Sequence, residues 1–237
     1  MTRIGMLTPS SNTALEPATA RLLHGTPEVT AHFARFPVTE ISLSAAGRQQ
    51  FDSEPILAAA SLLAHARVDA IAWNGTSASW LGLDRDQALC AAITARTGIA
   101  ATTCVLGLHA LYEKVGVRRL GLVSPYTDDV QRRIAANYRR HGIDCIAEAH
   151  GGISDNFAFA GIGSATIEAM IREVAQSRPD AVVVLCTNMD AVDLAAGLER
   201  ELDLPVLDSI AATLWSVLEL LHLPKEAYRR FGRMFSL

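Results

Sequence analysis

A single cysteine ends a buried-strand pattern, at a place where its thiol could exchange a proton with a substrate. Residues 180–193 read DAVVVLCTNMDAVD, in which an apolar run leads to Cys186 at a strand-to-helix turn. Thr187 and Asn188 follow directly and bring a hydroxyl and an amide to the same turn. The alternative interpretation of Cys186 is a plain buried thiol. Its place in a repeated phrase favours a functional role.

The same phrase occurs once before, without the thiol. Residues 69–77 read DAIAWNGTS, and a shift of 111 positions places Gly75 on Cys186. The hydroxyls of Thr76 and Ser77 follow Gly75, where they can cap the next helix, hold a ligand, or do both. We interpret Thr76 and Ser77 as ligand contacts beside a position that has no thiol.

A second pair of phrases adds two more turns. RIGMLTPSSNT, near the start of the chain, matches RLGLVSPYTDD 116 positions later, which places Tyr126 at the position of Ser10. A polar, glycine-bearing loop further along is expected to add another wall to the same site. The candidates from these three segments are Ser10, Asn12, Pro125, Tyr126 and Asn156.

Strand patterns alternate with helix patterns along the chain, which is typical of a doubly wound α/β fold with parallel sheets. Because the phrases recur in the same order, we predict two pseudo-symmetric half-domains, residues 1–116 and 117–237. The alternative is that any two strand–helix units look alike. The last helix is expected to pack on the N-terminal half, and residues 223–237 to pack back on one half. The helical pattern of residues 43–67 is expected to break near Pro55.

The four turns all end strand patterns and are rich in hydroxyls and amides. In open parallel sheets, ligands bind beyond the carboxyl ends of the strands, where turns present N–H groups. Two facing half-domains would gather the turns into one cleft lined by neutral donors, which suits a small carboxylate better than a large polyanion. Trp73, Trp80 and Leu81 are interpreted as core or pocket lining.

Composition limits the classes of function. The 237 residues carry a net charge of −4, which gives no basic surface for nucleic acid. No apolar run approaches the roughly 20 residues that span a bilayer, and no signal peptide is recognisable, so a cytoplasmic location without a membrane partner is expected. Cys90, Cys104 and Cys145 are expected to be core thiols, and the histidines lack ligand spacing. We therefore predict no metal and no nucleotide or other cofactor. A homo-oligomer is compatible with the sequence.

The whole chain resembles the aspartate/glutamate racemase superfamily, and its turns divide between two branches. GTSASWLG, PYTDDV, the lone Cys186 and the closing GRMF are similar to the arylmalonate decarboxylase branch. PSSNTALEP, ISDNFA and CTN are similar to the maleate cis-trans isomerase branch. The resemblance implies cofactor-free chemistry at a carbon next to a carboxylate.

The resemblance also implies a division of roles. Racemases of the superfamily use two cysteines on opposite faces, and maleate isomerase uses the first cysteine as a nucleophile. Gly75 stands at that first position here, which leaves Cys186 as a one-sided proton donor, as in the decarboxylases. Thr76, Ser77 and Tyr126 would hold the oxygens of an enediolate. The expected function is decarboxylation of a substituted malonate or a related small dicarboxylate.

Two alternatives stay open. Asn12, Asn156, Thr187 and Asn188 stand where the decarboxylase branch has small apolar residues or glycine, and they suit a second carboxylate. The chain would then be a maleate isomerase, or an amino-acid or hydantoin-type racemase of the same superfamily. The missing first thiol also fits a catalytically silent dicarboxylate-binding protein.

Overall fold

The computed structural model describes all 237 residues and contains two parallel four-stranded sheets, ordered β2-β1-β3-β4 and β6-β5-β7-β8. The predicted α/β class with two related halves is confirmed. The strands are β1 (Thr2–Pro9), β2 (Val29–Phe36), β3 (Ala70–Trp73), β4 (Ala101–Thr103), β5 (Arg119–Ser124), β6 (Asp144–His150), β7 (Ala181–Val184) and β8 (Val206–Asp208).

Ten α-helices cover the faces of the sheets, and none of them is long and apolar enough to cross a membrane. They are α1 (Leu15–Leu23), α2 (Ala45–Gln49), α3 (Ser53–His65), α4 (Ala78–Leu81), α5 (Leu83–Thr97), α6 (Cys104–Val115), α7 (Asp128–Arg140), α8 (Ser164–Ala175), α9 (Val192–Leu202) and α10 (Ser209–Leu220). Three short 3₁₀ helices complete the fold at Phe157–Gly161, Glu226–Phe231 and Arg233–Ser236.

The break in the first long helical pattern lies earlier than expected. Residues 50–52 separate α2 from α3, and Pro55 lies inside the first turn of α3. Proline is tolerated in a first turn because the N–H that it lacks has no intrahelical acceptor there. The turn therefore interrupts the pattern, and Pro55 belongs to the helix that follows.

The order of the strands in the two sheets indicates where the candidate site lies. In each sheet the first strand lies at the centre, beside the third, so β1 pairs with both β2 and β3, and β5 with both β6 and β7. Chain connections leave such a strand pair toward opposite faces of the sheet, which opens a crevice beyond the carboxyl ends. The turns after β1, β3, β5 and β7 are the ends that meet at these two crevices.

The two halves share a helical interface. α10 packs on α6 and also on β3 and β4 of the first sheet. Gly107 allows the close approach, because a Cβ at this position would lie 2.7 Å from the Cβ of Ser216 and 3.0 Å from the carbonyl oxygen of Ala212. The backbones of α6 and α10 therefore approach each other closely across the boundary between the two halves.

The C-terminal segment contacts both halves, whereas the sequence led us to expect one. The Tyr228 hydroxyl donates to Thr26 at 3.3 Å, on the loop after α1. The backbone N–H of Arg233 donates to the carboxylate of Glu199 at 2.7 Å, on α9. The residues after α10 thus join the N-terminal half to the C-terminal half.

Candidate active site

The turns after β3 and β7 face each other across the boundary between the halves. The Thr187 hydroxyl donates to the carbonyl oxygen of Asn74 at 2.9 Å. The Asn12 amide, from the turn after β1, donates to the carbonyl oxygen of Thr187 at 3.0 Å. These bonds bring three of the four predicted turns into direct contact.

The fourth turn reaches the site through Tyr126. Its hydroxyl lies 2.6 Å from the Thr76 hydroxyl, and its ring packs edge-on against Trp80 and Phe159. Burial raises the pKa of Tyr126 well above its ordinary value of 10.0, so its hydroxyl is a neutral donor. Thr76 and Tyr126, one from each half, form a buried hydroxyl pair.

Cys186 lies beside this pair as a neutral thiol. The residue is 3% exposed, and the backbone N–H of Asn188 donates to its Sγ at 3.3 Å. Burial raises the pKa of the Cys186 thiol from 9.0 to about 12, against opposing effects of the Asn188 N–H and the Tyr126 hydroxyl. A thiol in this state can give a proton but is a weak resting nucleophile.

We expect Cys186 to react slowly with iodoacetamide at pH 8.5 in the folded protein, because alkylation requires the thiolate. Mass spectrometry of the Cys186 peptide over time measures this, with the urea-unfolded chain as the control. Since the folded pKa is raised, the stability linked to Cys186 is complete below pH 9 and declines as the pH rises toward about 12. Alkylation of folded Cys186 as fast as in urea would contradict a protonated thiol.

The backbone of the β3 turn adds donors. Gly75, Thr76 and Ser77 are buried, and their N–H groups have no hydrogen-bond acceptor within the protein. Buried N–H groups without a partner are costly, so they mark a place for acceptor oxygens of a ligand. Together with the hydroxyls they can stabilise negative charge as it develops on a carboxylate or an enediolate.

The cavity that these groups line is small and uncharged. Its volume is about 20 Å³, which is room for a single water. The polar side chains that line it come from Thr76, Ser77, Tyr126, Asn156, Cys186 and Thr187. No Lys, Arg, Asp or Glu lines it, and no cluster of three or more His, Cys, Asp or Glu is placed to hold a metal ion. Recognition of a ligand would depend on neutral hydrogen-bond donors. Side chains of the cavity wall would have to move to admit a substrate.

A sequence model of the arylmalonate decarboxylase family matches residues 4–235, nearly the whole chain. The chain belongs to the arylmalonate decarboxylase family. Its predicted kinship with the aspartate/glutamate racemase-like enzymes is thereby confirmed.

Relatives of this family member divide between two enzymes. The arylmalonate decarboxylase of Bordetella bronchiseptica is 29% identical over 164 residues, 68% of each chain. The maleate isomerase of Geobacillus stearothermophilus is 25% identical over 236 residues, 93% of this chain and 92% of the relative. The structure of the maleate isomerase of Pseudomonas putida S16 with maleate matches with a TM-score of 0.88 at 22% identity, covering 99% and 97% of the chains. That likeness shows the shared fold.

One part of the cavity wall was not predicted from the sequence. Val38, Ile41 and Phe51 come from the segment between β2 and α3, which covers the cavity. Backbone bonds fasten that segment to the C-terminal half, for example from the Ile41 N–H to the carbonyl oxygen of Ser154 at 2.8 Å. Phe51 lies inside the helical pattern of residues 43–67, and no feature of the sequence indicated that this segment covers the site.

Two predicted contacts lie outside the cavity. Ser10 is exposed, and its hydroxyl accepts from the Val38 N–H at 3.1 Å and donates to the Val38 carbonyl at 3.3 Å. Pro125 does not line the cavity, and its carbonyl oxygen accepts from the Ile153 N–H at 2.9 Å. Both residues shape the turns that carry the site, and their predicted contact with a ligand stays a prediction.

Asn12 and Asn188, two of the expected carboxylate contacts, also do not line the cavity. The Asn12 amide oxygen accepts from the N–H groups of Ala14 and Leu15 at the start of α1. The Asn188 amide oxygen accepts from the N–H groups of Thr13 and Ala14. The two amides therefore fasten the start of α1 to the β7 turn, and their contact with a second carboxylate stays a prediction.

Gly75 has a neighbour that its position in the repeat did not reveal. The indole of Trp73, which is 1% exposed, lies where a side chain at position 75 would begin, and a Cβ built there would overlap its Cζ2 and Cε2 atoms. Trp73 is held against Phe36, with ring centroids 5.0 Å apart. The position across from Cys186 is therefore occupied by an indole.

Proposed function

We propose that the protein decarboxylates a substituted malonate, or a related small dicarboxylate, without a cofactor. The observation that carries this proposal is one neutral thiol, Cys186, beside unpaired donors at Gly75, Thr76 and Ser77, with no second thiol at position 75. Membership of the family supports a reaction at a carbon next to a carboxylate.

The first step breaks the bond between the α-carbon and one carboxylate. The retained carboxylate accepts hydrogen bonds from the N–H groups of the β3 turn and from the Thr76 and Tyr126 hydroxyls. As carbon dioxide leaves, the electron pair of the broken bond passes into an enediolate, whose oxygens gain charge where the donors lie. Each such donor can contribute roughly 3 kcal/mol to the transition state. The cavity has no charged side chain that would stabilise the departing carboxylate, and this favours its loss as neutral carbon dioxide.

The second step forms a C–H bond. The Sγ–H of Cys186 gives its proton to the α-carbon of the enediolate, and the resulting thiolate takes a proton from water. Because the thiol lies on one side only, a substrate with two different substituents gives one enantiomer of the monoacid. Because its pKa is raised, the Cys186 thiol stays protonated at neutral pH and can act as the acid.

Incubation with phenylmalonate, methylphenylmalonate and alkylmalonates tests the proposal. We expect carbon dioxide release and, from the prochiral substrates, a single enantiomer on a chiral column. Binding without any product, seen as thermal stabilisation by the same acids, would instead indicate a silent dicarboxylate-binding protein and would reject the decarboxylase.

Loss of the Tyr126 hydroxyl gives a more local test. We expect Tyr126→Phe to lower kcat by about 10² to 10³-fold, because one donor to the enediolate is removed while the ring still packs on Trp80 and Phe159. The matched control is Tyr138→Phe, which removes another buried tyrosine hydroxyl, bonded to Ser79 at 3.0 Å and outside the cavity. Equal losses in the two variants would mean that Tyr126 acts through the fold alone.

A cis-trans isomerase is the second candidate. Asn156 lines the cavity, and its amide oxygen has no hydrogen-bond partner, so the residue can contact a second polar group of a substrate. The maleate isomerase relatives support the same idea. Consumption of maleate with appearance of fumarate in the NMR spectrum would favour this function over the decarboxylase, and stable maleate at high enzyme concentration would reject it.

A further inference from the structure

A much larger cavity adjoins the catalytic one. It lies between α3 and α5 and has a volume of about 370 Å³. Phe51, Trp73 and Ser77 line both cavities, so two aromatic rings and one serine form the partition between them. Neither the proposed decarboxylation nor the hydrogen bonds of the catalytic turns make use of this space.

The wall of this cavity carries a buried carboxyl group. Asp86, on α5, is 3% exposed. Its Oδ2 accepts a hydrogen bond from the Thr103 hydroxyl, and its Oδ1 has no partner in the protein. Burial raises the pKa of Asp86 to about 7, against the lowering effect of the Thr103 bond. Because Asp86 lines the cavity and its Oδ1 is not enclosed by the protein, this oxygen is free to accept a hydrogen bond from a ligand there.

Most of the remaining wall is apolar, and Ser53 and Ser77 add two hydroxyl groups. Ile56 comes from α3, and Leu89 and Ala92 come from α5. Asp52 and Arg85 lie at the mouth as exposed groups of opposite charge, so they do not select a charged ligand. The cavity thus combines a largely hydrophobic wall with a few polar groups, the usual composition of a small-molecule site.

We infer that this cavity is a subsite for the α-substituent of the substrate, and that it takes an aryl group ending in a hydrogen-bond donor, such as a phenol hydroxyl, which Asp86 accepts. The inference rests on the proposed function. The catalytic cavity, at about 20 Å³, has no room for a substituent, whereas 370 Å³ lies in the range of ligand sites. Entry from the catalytic side requires the ring of Phe51 or Trp73 to move aside.

Binding of unreactive monoacids by calorimetry tests the subsite. We expect 4-hydroxyphenylacetate to bind the wild type at least about tenfold more tightly than phenylacetate, because only the phenol hydroxyl can donate a hydrogen bond to the Asp86 carboxyl group. Asp86→Leu should remove that preference. Ala88→Trp, on an exposed residue that lines the cavity, should weaken both aryl acids at least about tenfold more than it weakens malonate. Gln87→Trp is the control, an exposed neighbour on α5 outside the cavity.

The outcomes separate the two proposals. If the aryl acids and malonate bind but neither Ala88→Trp nor Ala92→Phe weakens the aryl acids selectively, the subsite is rejected and the decarboxylase stands. If the hydroxyl makes no difference to wild-type binding, the role of Asp86 is rejected. If none of the acids binds the wild type at millimolar concentration, the subsite falls together with the proposed function. Circular dichroism establishes that each variant is folded.

Discussion

Cys186→Ala is expected to lower kcat for the proposed malonate decarboxylation by about 10² to 10⁴-fold, the range over which a positioned general acid contributes, and to leave KM within a few-fold of the wild type. In the proposed mechanism the retained carboxylate is held by the N–H groups of the β3 turn and the Thr76 and Tyr126 hydroxyls, so loss of the thiol removes the proton donor and spares these donors. Carbon dioxide release and single-turnover kinetics measure the loss.

The control for this variant is Cys90→Ala, which removes a thiol on α5 outside the catalytic cavity. Cys186→Ser adds a second comparison, since a hydroxyl fills nearly the same volume but is a far weaker acid. Racemic product from Cys186→Ser would show that water replaces the thiol on both faces. Unchanged turnover in Cys186→Ala would eliminate the proton-donor role altogether.

Gly75→Cys alone is expected to destabilise the protein and to give no racemase. Its Cβ overlaps the indole of Trp73, which is buried and packed against Phe36, so the ring must shift and lose part of this packing. Overpacking of this kind typically costs about 1 to 3 kcal/mol. Urea unfolding of the variant and of the wild type measures the difference in the free energy of unfolding.

Room for the second thiol should come from a second change. In Trp73→Val/Gly75→Cys, the new Sγ has space across from Cys186, and we expect racemisation of a 2-arylpropionate, followed by circular dichroism. Trp73→Val alone is the matched control and should not racemise. A stable, racemising Gly75→Cys single variant would show that Trp73 does not block the position. A folded double variant that never racemises would mean that the two turns do not act on one carbon.

Short-range pattern was enough to locate the turns of the site. The apolar runs before Gly75 and Cys186 are β3 and β7, buried on both faces, and such strands end where their apolar run ends. Recurrence of the phrases then placed the two turns in equivalent positions, and the Thr76 and Tyr126 hydroxyls do meet across the boundary.

The sequence pattern missed features that depend on contacts between residues distant in the chain. Asn12 and Asn188 look like ligand amides from composition alone, but each bonds to backbone groups far from it in the chain. The ring of Trp73 lies over Gly75 because of its packing on Phe36, which no periodicity reports. The single turn of α4 escaped detection because four residues are too few to show a 3.6-residue repeat.

The position of α10 has a consequence for any attempt to divide the chain. α10 belongs to the second half by sequence but covers β3 and β4 of the first. A fragment ending at residue 116 would expose the apolar face that α10 shields. In the complementary fragment, α10 would keep its contacts with β8 and Arg233–Ser236 but would lose those with α1, α6, β3 and β4. Split-protein complementation should therefore fail for the separate pieces and succeed only when both are synthesised together.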